Sequence, residues 1–375
     1  MNNKKRIAIL GANAPLRSFY KQAKNLGFEI YSFAWEEGAV CKQYADHYYP
    51  ISFINKEEIL QICKKNDVNG VTSFSLESAL PAVNYVARGI NSPCNSKESE
   101  FFTENKFTMR ERLKQFNINI PKYCLVNSEN DIIDMDFPLI VKPIDSGGSR
   151  GVTEVKNKME LKKAINRALS YSKTHKAIVE QFIDGREFSV EFISHKGKHY
   201  LLSITDKITT GKPYFVELEH HQPAAISIND WNKIRDITEQ MLDALEITDS
   251  PSHTEIKMDN NTGDFYIIEM GPRMGGDYIT SDLVRLSTGY DFVKGTIDLA
   301  VGQFSEPEFG FHKYAGVYFL AKEREGILNY INNKNIYSQI VEAELYSENI
   351  VEVKENADRA GYLIYQANKK IEIKW

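Results

Sequence analysis

The stretch His253-Thr-Glu255-Ile-Lys257-Met-Asp259-Asn-Asn-Thr-Gly263-Asp-Phe-Tyr-Ile-Ile-Glu269-Met-Gly-Pro-Arg273-Met-Gly-Gly-Asp277 organises the rest of the chain. Glu255 and Glu269 each lie in an alternating segment, and Asn260-Asn261-Thr262-Gly263 between them suits a hairpin turn. Antiparallel pairing would bring the two carboxylates side by side, where they repel unless a cation lies between them. Arg273 follows Glu269 by four residues, and Gly275-Gly276 lets backbone approach a bound group closely. These residues suit a metal-bound, highly anionic substrate. A duller pairing is open as well: cross-strand glutamates neutralised by lysine, with Lys257 at hand.

Working outward, strand and helix patterns alternate at the N-terminus. Arg6 to Leu10 reads as a buried strand, Leu16 to Leu26 as a helix closed by Gly27, and Phe28 to Phe33 as a second strand. Lys56 to Lys65 reads as a helix, Gly70 to Phe74 as a strand and Glu77 to Arg88 as a helix, the alternation of an open parallel α/β sheet. The turn Gly11-Ala12-Asn13-Ala14-Pro15 lacks the further glycines of a dinucleotide fingerprint, which argues against a redox cofactor. Glu77, after the strand ending in Phe74, faces the sheet end where ligands usually bind or simply stabilises its helix.

Asn91 to Ser96 is a turn-rich joint, and a domain boundary is expected there. Lys97 to Phe116 reads as one or two helices. Pro138 to Pro143 is a strand ending in lysine, and Asp145-Ser146-Gly147-Gly148-Ser149-Arg150-Gly151 after it is a loop rich in backbone donors, suited to covering phosphates. It is not a P-loop. Leu161 to Ser170 and Trp231 to Leu245 read as helices, Ala177 to Phe182 and Phe188 to Ile204 as strands. Ser281 to Val301 reads as mostly helical with a break at Gly289, and the tail from Gly316 as short strands with a helix near Ile327 to Asn332.

At 375 residues the chain exceeds the usual size of one core, so two or three domains are expected. The net charge of -5 and pI near 6.0 leave no global basic field and argue against nucleic acid as partner. Cys41, Cys63, Cys94 and Cys124 form no CxxC pair and read as reduced buried thiols of a cytoplasmic protein. The apolar run Ile7 to Leu10 is too short for a signal core, and no run reaches membrane-spanning length, so neither targeting nor a membrane is expected.

Several separated motifs then agree on one family. Val141-Lys142-Pro143 with the Ser146 to Gly151 loop, Glu180-Gln181-Phe182-Ile183 with Glu187, and Glu255 with Glu269 and Arg273 resemble, in order and spacing, the ATP-grasp superfamily from about Phe101 to Gly302. Thr205-Asp206-Lys207, Tyr214 to His220 with Pro223, and Asp358 to Ile364 resemble its branch that includes L-amino acid ligases. The resemblance implies an open parallel α/β domain over residues 1–96, a two-part α+β ATP-grasp domain over 97–310 with a mobile lid at about 121–187, and a small β-rich subdomain over 311–375. It implies ATP and magnesium, with manganese an alternative, small-molecule carboxylate and amine substrates, and a homodimer as a common expectation for this superfamily.

By position, it implies that Lys106 and Lys142 contact phosphates beneath the loop of Ser146, Gly147, Gly148 and Ser149. Glu180, Phe182 and Ile183 would hold adenine, and Glu187 the ribose hydroxyls. Glu255 and Glu269 would ligate magnesium, Arg273 would hold the reacting oxygens, and Glu217 with His220 would face the amino-acid substrate. Gly276, Asp277 and Glu77 are further substrate candidates, with Asp277 pairing with Arg273 or attracting an ammonium group. One departure stands out: many superfamily members carry Glu-x-Asn-Pro-Arg, whereas here Gly271 takes the asparagine position. The activity implied is amide formation through an acylphosphate. A nucleotide-biosynthesis enzyme using a phosphorylated or small-acid metabolite and a non-catalytic nucleotide-binding module are the alternatives.

Overall fold

The structure, a computed structural model, describes residues 5–148, 150–212 and 214–373. The first unit comprises β1 (Arg6–Leu10), α1 (Arg17–Asn25), β2 (Glu29–Phe33), β3 (His47–Tyr49), α2 (Lys56–Lys65), β4 (Gly70–Thr72) and α3 (Leu80–Gly89). Its strands are all parallel, in the order β3-β2-β1-β4. Ile7 to Leu10 are fully buried because both sheet faces are covered. One face meets Ile59 and Val86 of α2 and α3. The other shares a core with Ile193, Met274 and Phe292 from far along the chain. The short aromatic strand β3 escaped the sequence reading, since His47-Tyr48-Tyr49 has neither alternation nor an apolar run.

Two helices follow, α4 (Lys97–Thr103) and α5 (Lys106–Gln115). The Asn105 side chain caps α5 by accepting from the Phe107 and Thr108 amides, each at 3.0 Å, and so fixes where the helix begins. A small sheet is built from β5 (Tyr123–Val126), β6 (Leu139–Pro143), β7 (Thr153–Val155) and, after α6 (Lys158–Tyr171), β8 (Ala177–Gln181). Its order is β5-β8-β6-β7, all antiparallel. The α6 helix starts three residues earlier than its apolar pattern because Asn157 caps it.

The large sheet takes β9 (Gly185–His195), β10 (Lys198–Thr209), β11 (Glu217–Gln222), and, after α7 (Ile228–Ala244), the hairpin β12 (Ser250–Asp259) and β13 (Phe265–Gly271). The hairpin turn closes as its residues dictate. Asp259 Oδ1 accepts from the Asn261 amide at 2.7 Å, and Gly263 supplies φ +72°. Glu255 and Glu269 are direct register partners.

Helices α8 (Val284–Thr288) and α9 (Phe292–Ala300) lead to β14 (Tyr314–Leu320), α10 (Ile327–Asn332), β15 (Ile340–Leu345) and β16 (Gly361–Ala367). The tail forms no sheet of its own. Its three strands extend the large sheet to eight, in the order β13-β12-β9-β10-β11-β14-β16-β15, because β11 offers β14 a free edge. The mixed α/β architecture matches the sequence expectation.

Gly70 shows how tightly the first unit is docked. A Cβ added there would lie 2.2 Å from the Ala300 carbonyl oxygen at the end of α9. Gly70→Ala should lower unfolding stability by about 1–3 kcal/mol, the usual cost of overpacking, as read by chemical denaturation.

Candidate active site

The site lies where the small sheet, the large sheet and the first unit meet. Lys106 is the first residue of α5, where its positive charge opposes the helix dipole and calls for an anion. Its Nζ donates to the Ser146 carbonyl at 3.0 Å and pairs with Glu269 Oε1 at 2.9 Å. The phosphate-loop lysine, one hairpin carboxylate and the glycine loop are therefore in direct contact. Ser146 contributes its carbonyl; Ser149 lies outside the described residues.

A buried network stands behind them. Glu180, fully enclosed, accepts from Arg110 Nε at 2.7 Å and from Lys142 Nζ at 2.8 Å. Burial alone would raise its pKa, but Arg110 and Lys142 outweigh that and hold it at about 2. Arg110 also donates to the Ile268 carbonyl at 2.6 Å, joining α5 to β13. The Glu180 carboxylate is thus occupied by these two cations, which leaves its backbone as the part able to meet a base. Beside it, Phe182 lies 6.1 Å from the Phe215 ring, with Lys212 Nζ 4.7 Å and Lys257 Nζ 5.0 Å from its centroid. Ile183 is buried and its carbonyl accepts from Lys257 at 3.4 Å. Together these side chains form an aromatic and cationic slot.

Lys207 is the centre of the second half. Its Nζ lies 2.7 Å from Glu187 Oε1, 2.7 Å from Glu255 Oε1 and 3.3 Å from Glu217 Oε1. Burial would lower its pKa, yet the three carboxylates raise it well above the ordinary value. The Glu255 carboxyl, which burial would raise, is held well below the usual range chiefly by Lys207. Lysines do neutralise the hairpin glutamates, but they are Lys106 and Lys207; Lys257 instead approaches Glu187 at 3.7 Å. Lys207 was legible only as part of the Thr205-Asp206-Lys207 motif; its burial among carboxylates was not, since its partners come from three other segments.

Glu77 closes the site from the first unit. An added Cβ at Gly147 would lie 3.1 Å from Glu77 Oε2, so the glycine loop rests against this carboxylate. Its pKa is raised, first by burial and then by Glu269 and Glu255, against the pull of Arg273 and Lys106. Arg273 donates from Nη1 to the Met274 carbonyl at 3.0 Å, and its buried Nε has no partner among the described residues. Gly276 faces Ser75, whose Oγ would lie 3.0 Å from an added Cβ.

Two expectations are corrected. Asp277 does not pair with Arg273; it forms a two-pronged ion pair with Arg359 of the tail, both contacts at 3.0 Å, because the backbone at φ +50° turns it toward β16. His220, expected to face substrate, is 1% exposed and sits edge-on to Phe319. Both its ring nitrogens lack partners among the described residues, and burial pushes its pKa down to about 3, so it is a neutral imidazole near pH 7.

Glu255 and Glu269 offer hard oxygen donors on adjacent strands, which suits magnesium. Among the described residues no cluster of three or more His, Cys, Asp or Glu makes a self-contained metal centre, so a cation here would complete its shell with phosphate oxygens and water. Gly271 offers no side chain; a Cβ there would press on Arg273 at 3.3 Å. Among the described residues, no helix is long and apolar enough to cross a membrane.

Carboxylates and lysines gather under a glycine loop where the two sheets meet, and the chain can be set beside known proteins. Residues 135–282 match the model of the ATP-grasp domain. It is 26% identical over 284 residues to a D-alanine–D-alanine ligase of Flavobacterium johnsoniae, covering 71% of this chain and 84% of that one. It is 26% identical over 257 residues to the carbamoyl phosphate synthase large chain of a Thermoanaerobacter species, 67% of this chain but only 23% of that protein's length. In fold it is similar to the L-amino acid ligase of Bacillus licheniformis, with a TM-score of 0.82, 23% identity, and 98% and 95% of the two chains covered.

The Arg110–Glu180 pair carries a prediction. Arg110→Met leaves a buried carboxylate with one cation fewer and should cost about 3–5 kcal/mol at neutral pH. Because the pKa of Glu180 is depressed from 4.5 to about 2, the pair's contribution is whole above pH 4.5 and is lost as pH falls to about 2. The stability gap between parent and variant should narrow across that window in urea titrations.

Proposed function

We propose that this protein is an ADP-forming, ATP-dependent carboxylate–amine ligase that joins an amino acid to an amine or a second amino acid. The observation that carries the reading is the three-lysine, three-zone arrangement. Lys106 and Lys142 stand under the glycine loop, Lys207 stands among Glu187, Glu217 and Glu255, and Arg273 and Glu77 lie just beyond. The likeness to the D-alanine ligase and the fold of the L-amino acid ligase support it.

In this reading ATP lies between the two sheets, with its adenine against Phe182 and Ile183 and its ribose near Glu187. Lys106, Lys142 and the loop from Ser146 hold its phosphates. Glu255 and Glu269 would hold magnesium, which when bound neutralises phosphate charge. The substrate carboxylate oxygen bonds to the γ-phosphorus as the bond to ADP breaks. The amine nitrogen then bonds to the acylphosphate carbonyl carbon, phosphate leaves, and the amine proton is lost. Arg273 balances charge on the reacting oxygens, and alignment supplies most of the acceleration. In this reading Glu77 and Glu217 would meet ammonium groups of the substrates. His220, enclosed against Phe319, takes no part in this scheme. The residues of the small sheet act as a lid that keeps water from the acylphosphate.

A phosphate-release screen of paired amino acids, with products read by mass spectrometry, tests the assignment. Stimulation by amino-acid pairs with a matching mass is expected. Stimulation only by a phosphorylated precursor would move the protein to nucleotide biosynthesis, and no stimulation would mark a non-catalytic binding module. Glu269→Gln should abolish turnover while leaving thermal unfolding near that of the parent; an active variant overturns the metal assignment.

A further inference from the structure

The hairpin holds a pair that the proposed chemistry leaves unused. His253 lies on the same sheet face as Glu255, two residues upstream, and is register partner to Glu191 on β9. Its Nδ1 meets Glu191 Oε1 at 2.5 Å. A carboxylate only accepts, so the imidazole donates. Glu191 is fully buried and its other oxygen has no partner among the described residues, so this bond is what holds the carboxylate in place.

The imidazole in turn supports the turn after Arg273. A Cβ added at Gly275 would fall 2.5 Å from His253 Nδ1 and 3.1 Å from Cε1 and Cγ, so the Gly275 backbone lies directly on the ring. The next residue, Gly276, is pressed against Ser75, and Asp277 is held by Arg359. The Gly275 carbonyl also accepts from Thr280 Oγ1 at 2.5 Å; the contact beneath the turn from the hairpin itself is His253.

We propose that His253, fixed by Glu191, is a positioning residue. Its ring sets the height of the Gly275–Gly276 turn and thereby the placement of Arg273 relative to Glu255 and Glu269. The effect on turnover rests on the ligase reading; the effect on the turn does not.

The test pairs His253→Leu with His253→Asn, whose amide can take the place of Nδ1 against Glu191. Hydrogen exchange of a peptide spanning residues 271–279 should quicken in His253→Leu and return to the parent rate in His253→Asn. Exchange that is unchanged in both variants, or raised equally throughout the hairpin, overturns the proposal. With the amine substrate found by the screen, kcat should fall about 10- to 100-fold in His253→Leu, the scale of an ångström-sized misplacement, with the KM for ATP held within about twofold. Recovery in His253→Asn is expected, and equal losses in kcat and ATP affinity overturn the proposal. Gly275→Ala should be as damaging as His253→Leu in the parent and add little further loss in the His253→Ala background, where the ring is gone; an added loss there as large as in the parent also overturns it. If no amine stimulates the parent, the ligase reading fails and the exchange measurement still decides the role of His253.

Discussion

The buried triangle of Arg110, Glu180 and Lys142 is the constraint around which the two halves of the nucleotide site are arranged. Its members come from α5, β8 and β6, and Arg110 adds a bond to the β13 backbone. An enclosed carboxylate needs both cations, so the helix, the small sheet and the large sheet have to be in register before the charge is satisfied. That requirement places Lys106, four residues before Arg110 on the same helix, against Glu269. The site's geometry thus follows from a solvation demand a few ångströms behind it.

The same logic explains the electrical state of the cleft. Every carboxylate assigned to metal or ribose is countered by an ammonium of the chain itself, and one of those lysines, Lys106, is among those that would meet phosphates. Bringing in a magnesium–nucleotide exchanges one set of ion pairs for another without creating a bare buried charge. Gly271 is consistent with this economy: with Arg273 packed across its α-carbon, the position serves close approach, and the cation's remaining shell falls to oxygen atoms that are not the protein's own.

Much of this was legible in the sequence, and the part that was not has a common cause. The parallel first unit, the hairpin register of Glu255 with Glu269 and the lysine before the glycine loop are local or periodic features, and alternation and turn chemistry reveal them. Lys207, Arg110 and Arg359 are charged residues that each have a partner far along the chain, 48, 70 and 82 positions away, and no periodicity marks a charge that will be buried. His220 misled for the related reason that an exposed binding histidine and an enclosed neutral one look alike until Phe319 is brought against the ring. The tail was legible as strands, while its membership of the large sheet depended on which edge was free.

The ion pair between Asp277 and Arg359 has a consequence for biosynthesis. The turn that follows the β12–β13 hairpin is braced by a residue 82 positions downstream, on the approach to a strand paired on both sides. During synthesis the hairpin, the glycine loop and the lysines all leave the ribosome well before that brace does, and contacts of such long span are slow to close. A nascent chain therefore passes through an interval in which the nucleotide-facing residues are present and the adjoining turn is unsupported. Maturation of the site is thereby tied to synthesis of the segment that carries Arg359.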